Sequence, residues 1–252
     1  KDKNIEFIKI IKNIPKNERY KYITQDELND LSYFYAYEID IRTYCQFYIS
    51  LLKKSHLIIS TFMNFSDYNV IFLKIGLFLM SVSLYFFINT LFFNDDSMHK
   101  IYEDKGKYSL IYELPLTIYS TIISKVISII LKNLSLSQGE LVKLKKTKSI
   151  TKLKDLVKKS YNCLEIKFIL FFCISLPLIW FFWYFIAAFC AVYKNTQIAL
   201  LKNSTISFLL SSSYVFLFAL IPGIFRIYSL RRKRKNKECL YKFSQLVRTI
   251  LV

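Results

Sequence analysis

The run from Phe168 to Val192, FILFFCISLPLIWFFWYFIAAFCAV, holds 25 residues without one charged side chain. Roughly 20 apolar residues, rising about 1.5 Å each, cross the hydrocarbon of a bilayer. Lys167 and Lys194 bracket the run, and it predicts a transmembrane helix. The chain as a whole is 54% hydrophobic yet carries a formal charge of +18. The two properties separate along the sequence, apolar runs alternating with basic segments. That is the pattern of a multi-pass membrane protein with basic cytoplasmic loops. It argues against nucleic-acid binding, because most of the aromatic residues lie inside the apolar runs.

Three more runs are long enough to cross. Val70–Phe93 carries Lys74 one turn in, where a lysine is expected to snorkel to the headgroups. Tyr112–Leu131 carries Glu113 and Lys125, and Thr205–Leu230 ends on Pro222-Gly223, which predicts a bend or break. Pro177 predicts a kink in the 168–192 run, whose Trp180 and Trp183 are expected to pack on other helices. The segment before Val70, the connection 132–167 and the tail after Leu230 are rich in Lys and Arg. By contrast, 94–108 sets Asp95, Asp96, Glu103 and Asp104 against three lysines. This alternation fits four crossings with both termini cytoplasmic. Without a crossing at 112–131, the basic 132–167 connection would share a face with the acidic one.

The expected fold class is therefore an all-α integral membrane protein: about four transmembrane helices plus cytoplasmic amphipathic helices. Its expected parts are a cytoplasmic segment 1–69 with an interfacial helix, a four-helix membrane domain 70–230 containing a basic helical loop 132–167, and a basic cytoplasmic tail 231–252. The chain opens on Lys1 and is expected to be a piece of something longer.

The 112–131 run has a second property. On a helix advancing about 100° per residue, Glu113, Thr117, Ser120, Thr121, Ser124, Lys125 and Ser128 share an arc of roughly 140°. Isoleucines, tyrosines and Val126 fill the other side. Three uses of such a face are open. It packs closely on neighbouring helices through small hydroxyls, it lies flat in the interface, or it lines a water-filled path. Glu113 and Lys125 stand about 18 Å apart along a helix and cannot neutralise each other.

Outside the spans, 40–63 predicts one helix lying in the inner headgroup layer, with Lys53 and Lys54 at the lipid headgroups. Arg226, Arg231, Arg232, Lys233, Arg234 and Lys235 are expected to make the same kind of contact with anionic lipid. Leu141–Lys159 predicts a basic amphipathic helix meeting membrane or a partner helix through Leu141, Leu144, Ile150, Leu153 and Leu156 or Val157. Thr24 and Glu27 have capping-box spacing.

Nothing in the chain has the spacing of a catalytic, cofactor or metal site. The glycines 76, 106, 139 and 223 are isolated, which excludes a phosphate-binding glycine loop. Five cysteines are scattered without redox or metal-ligand spacing. His56 and His99 fall on opposite sides of the predicted membrane. The acidic residues of 95–104 read as a solvated loop. No catalytic residue, cofactor or metal is expected, and the chain does not read as an enzyme.

Four stretches carry a resemblance: EIDIRTYCQFYISLLKKSHLI (38–58), DDSMHKIYEDKGKYSLIYELP (95–115), CAVYKNTQIALLKNS (190–204) and NKECLYKFSQ (236–245). Together they resemble the C-terminal membrane domain of a family of large ciliate transmembrane proteins, many with long repeat-bearing N-terminal regions. The resemblance spans about residues 36 to 248. It implies a membrane-embedded end of a larger protein and supplies no catalytic residues. The expected function is a membrane anchor or scaffold that contacts anionic inner-leaflet lipid and works with protein partners or as a homo-oligomer. The alternative is a channel or transporter subunit with the polar face of 110–131 along a path.

Overall fold

The computed structural model describes residues 23–65, 67–93, 95–103, 110–137, 141, 144, 150–194, 196–231 and 237–251. Helices are the regular elements throughout, with no strand among the described residues. Four of them are long and apolar enough to cross a membrane. The chain divides into two compact units: Ser66–Ser213, and Lys1–Phe65 with Tyr214–Val252. This division differs from the expected boundaries at 69 and 230. The N-terminal segment and the tail belong together, along with the second half of the last long helix.

In the Ser66–Ser213 unit, α5 (Ile71–Phe92) follows the short helices of the other unit, which are introduced below, and α6 (Asp95–Glu103) comes next. Then come α7 (Leu110–Ser135), α8 (Ile150–Val192) and the first half of α9 (Gln197–Arg231). Helices α5, α7 and α8 pack against one another. Leu73, Leu77, Met80, Leu84 and Ile88 recur every three or four residues on α5 and are all buried, as a helix with one packed face requires. The Phe171 ring presses on Gly76, where an added Cβ would lie 3.1 Å from it. Phe87 stacks on Phe182 at 4.3 Å between ring centroids, and Phe93 joins Ile186, Phe189, Ala199 and Leu200 in a cluster.

Lys74 is buried, and its Nζ meets Asp67 Oδ1, just before the start of α5, at 2.9 Å. One expectation needs correction in this unit. Trp180 is not a packing residue within the chain, being 74% exposed. Trp183 is half-exposed and donates from Nε1 to Ser83 Oγ at 2.9 Å. Pro177 and Pro222 both sit inside continuous helices, so the break expected at Pro222-Gly223 is absent. At about 1.5 Å per residue, α8 and α9 are longer than the roughly 30 Å of bilayer hydrocarbon. The lysine-rich start of α8 is thus one rod with its apolar run.

The second unit is built from short helices on the end of α9. These are α1 (Gln25–Asn29), α2 (Tyr33–Ile39), α3 (Tyr44–Ser55), α4 (Leu57–Phe62) and α10 (Glu238–Leu251). Capping boxes open α1 at Thr24, with Glu27, and α3 at Thr43, with Gln46. The single helix expected over 40–63 is two helices, parted at His56. Its backbone is extended, and its Nδ1 accepts from the Ile59 N–H to start α4.

The apolar face of α3 does not lie open for headgroups. Phe47, Leu51 and Leu52 pack on Val215 and Ala219 of α9. Tyr44 and Tyr48, one turn apart, donate to the carbonyls of Leu220 and Phe216. Gly223 makes this approach possible, since a Cβ there would sit 2.7 Å from the Tyr44 ring. Burial of those aliphatic and aromatic side chains on α9 contributes roughly 1.5–3 kcal/mol for each one fully buried.

Candidate functional site

The polar face of α7 is turned inward. Ser120 and Ser124 are fully buried, Thr121, Lys125 and Ser128 are half-buried, and Ile118, Tyr119, Ile122, Ile123, Val126, Ile129 and Ile130 are exposed. Glu113 and Thr117 lie outside the residues whose side chains are described. The Ser120 hydroxyl donates to Asn89 Oδ1 of α5 at 3.1 Å and lies 3.0 Å from the Ser207 hydroxyl of α9. Ser207 also donates to Asn89 Oδ1, Asn89 Nδ2 donates back to Ser207 Oγ, and Thr121 Oγ1 donates to the Ser207 carbonyl. One turn along, the Tyr85 hydroxyl donates to Ser211 Oγ.

Three helices therefore meet at a layer of one amide and small hydroxyls, and small side chains are what permit so close an approach. The neighbouring Ser124 and Ser128 hydroxyls are buried with no hydrogen-bond partner among the described residues. The contacts at Ser120 are direct, and Ser120 and Ser207 are fully buried. Sequence periodicity picks out the α7 face. It misses Asn89, Ser207 and Ser211 because the runs that hold them are apolar overall and show no polar face at helical spacing.

In the other unit, Asp40 is shared between two buried arginines. Arg42 grips it with a two-pronged fork, Nε to Oδ1 and Nη2 to Oδ2, both at 2.8 Å. Arg226 donates to Oδ2 from Nε at 3.1 Å and from Nη2 at 2.9 Å. Among the described residues one carboxylate meets two guanidiniums, which leaves an excess positive charge, and the surroundings meet it. Arg226 donates to the carbonyls of Asn29 and Leu28 at the end of α1, which no helical donor fills. Arg42 donates to the carbonyl and side chain of Gln25.

The Phe47 ring faces both guanidiniums, 5.3 Å from Arg42 and 4.9 Å from Arg226, and Tyr241 covers Arg226 at 4.9 Å. Such ring faces attract a desolvated cation by about 2 kcal/mol. Burial by itself would raise the Asp40 pKa. The hydrogen bonds and charges of Arg42 and Arg226 outweigh that and hold it below the ordinary carboxylate value.

Helix α10 completes the cluster. Tyr241 donates to the Leu31 carbonyl, Gln245 to those of Asn29 and Leu31, and Arg248 to Asp30. Burial pushes the Tyr241 hydroxyl pKa up, so it stays a donor at neutral pH.

Of the residues expected at lipid headgroups, Arg226 is not available, being 1% exposed and committed to Asp40. The correction follows from desolvation: a guanidinium inside protein needs a carboxylate, and Asp40 provides it. Lys53 and Arg231 are exposed and Lys54 is half-buried, while Arg232, Lys233, Arg234 and Lys235 lie outside the described residues. Leu156 and Val157 on α8 are exposed, and Leu141 and Leu144 are half-buried. Ile150 and Leu153 have no described side chain. No set of three or more metal-ligating side chains gathers among the described residues. No family model, curated protein or solved structure matches the chain.

Proposed function

We propose that the chain is a multi-pass membrane anchor or scaffold domain: four helices crossing the bilayer, both termini cytoplasmic, and anionic lipid held at its basic segments. The observation that carries this reading is the Ser120–Asn89–Ser207 contact. It spends the polar face of α7 on helix packing and leaves the apolar face, Ile118 to Ile130, outward. The alternation of basic and acidic connections supports the orientation. The resemblance of 38–58, 95–115, 190–204 and 236–245 to a ciliate membrane domain supports a place at the membrane end of a larger protein. Unit assembly around Asp40 suits an anchor, since it ties the N-terminal segment to the end of α9, 186 residues away.

A path along the same α7 face is the competing use, and flux measurements separate the two. The full chain reconstituted in vesicles should pass ions no faster than empty vesicles do, and Lys125→Gln and Glu113→Gln should change nothing. Flux through the wild type that either variant alters would replace the anchor with a channel.

A further inference from the structure

The outer side of α9 near its end carries an open groove of about 460 Å³, lined by Tyr44, Ile224, Ile227, Tyr228 and Arg231. Its floor is apolar and its mouth is cationic. The Tyr44 ring forms one wall because Gly223 lets it lie against α9 and its hydroxyl is tied to the Leu220 carbonyl. The Tyr228 ring forms another. Lys237 holds its Nζ 3.7 Å from the Tyr228 ring centroid, covered, and with no hydrogen-bond partner among the described residues. The adjacent acid, Glu238, is engaged with Lys242 at 2.9 Å. Positive charge at the mouth is thus uncompensated by any side chain that lines the groove.

We propose that this groove holds one anionic phospholipid, an acyl chain along Ile224, Ile227 and the two tyrosines, its phosphate on Arg231 in the field of Lys237. The assignment rests on the anchor reading above and sharpens it from a general basic surface to a single seat. The position suits such a ligand, for Arg231 closes the apolar run of α9. Apolar contact alone would not select this lipid, since lipid tails are as apolar as the groove. Charge complementarity does, each cationic side chain near an anionic headgroup contributing about fivefold in affinity.

The test uses the full chain, delipidated in detergent and titrated with phosphatidylserine or phosphatidylcholine, bound lipid being counted by native mass spectrometry. The wild type should retain one phosphatidylserine in preference to phosphatidylcholine. Arg231→Gln with Lys237→Gln should weaken that retention by fivefold or more. Ile227→Trp, which fills the groove without changing charge, should abolish it while helicity is unchanged. Glutamines at 232–235 should leave the single retained lipid in place. Retention that survives both groove variants but vanishes with the 232–235 substitutions overturns the seat and leaves the general lipid contact standing. No preference for phosphatidylserine in the wild type removes the lipid contact and the seat together.

Discussion

Asp40→Asn should cost the unit formed by the N-terminal segment and the tail about 3–5 kcal/mol, the penalty for leaving buried charge without its partner. The substitution nearly preserves shape, so the loss isolates charge. Among the described residues, Arg42 and Arg226, 2% and 1% exposed, would be left as two guanidiniums with carbonyls, hydroxyls and ring faces as their partners. Hydrogen exchange locates the effect. Protection should fall across 23–65 and 214–231 while 71–92 and 118–135 keep theirs, and equal protection everywhere would show that Asp40 does not hold the unit together.

The same carboxylate sets a pH dependence. Its folded pKa lies below the ordinary value of about 3.9. Its contribution is therefore complete above that value and is lost as pH falls through the lower folded one. The unit should loosen in acid below about pH 4, and the Asp40→Asn protein should lack that response.

Ser207→Leu is the second large effect. Ser207 is fully buried between Ser120 and Asn89, and inserting a larger side chain into a packed site costs about 1–3 kcal/mol. Ser207→Ala removes only hydrogen bonds, worth on average about 0.6 kcal/mol between helices in membranes. Denaturation of the reconstituted chain in a titrated detergent should rank leucine far below alanine. A water-filled lining would accept the leucine, so two variants of equal, near-native stability would contradict the packed seam.

How much of this was legible in the sequence depends on the range of the interaction. Apolar run length is local, so Val70–Phe93 appears as α5 with its ends within a residue. The 112–131 run widens only to Leu110–Ser135. Helical periodicity is local too, and it places Ser120 and Ser124 on the face that turns out to be buried. The shared carboxylate was not legible. Asp40 and Arg226 lie 186 residues apart, and Arg226 stands so close to RRKRK that it reads as part of a basic surface. One signal was there. Arg226 alone interrupts an apolar run five residues before that cluster, which is costly unless an acid waits for it. The break at Pro222 failed for a different reason: a helix packed beside the proline by α3, at Val215, Ala219 and Gly223, tolerates a missing N–H that an isolated one would not. Trp180 misled because a long apolar run does not say which of its faces meets protein.

Everything functional here depends on α7 crossing the bilayer, and sidedness tests that directly. Single cysteines at His99, Lys154 and Lys194, all exposed positions, would be placed in a chain freed of its five native thiols. A membrane-impermeant thiol reagent would then be applied to intact cells before and after permeabilisation. Four crossings predict labelling of 99 and 194 from one side and of 154 only once the membrane is opened. Labelling of 99 and 154 from the same side would mean that α7 does not cross, and the four-helix anchor would fall with it.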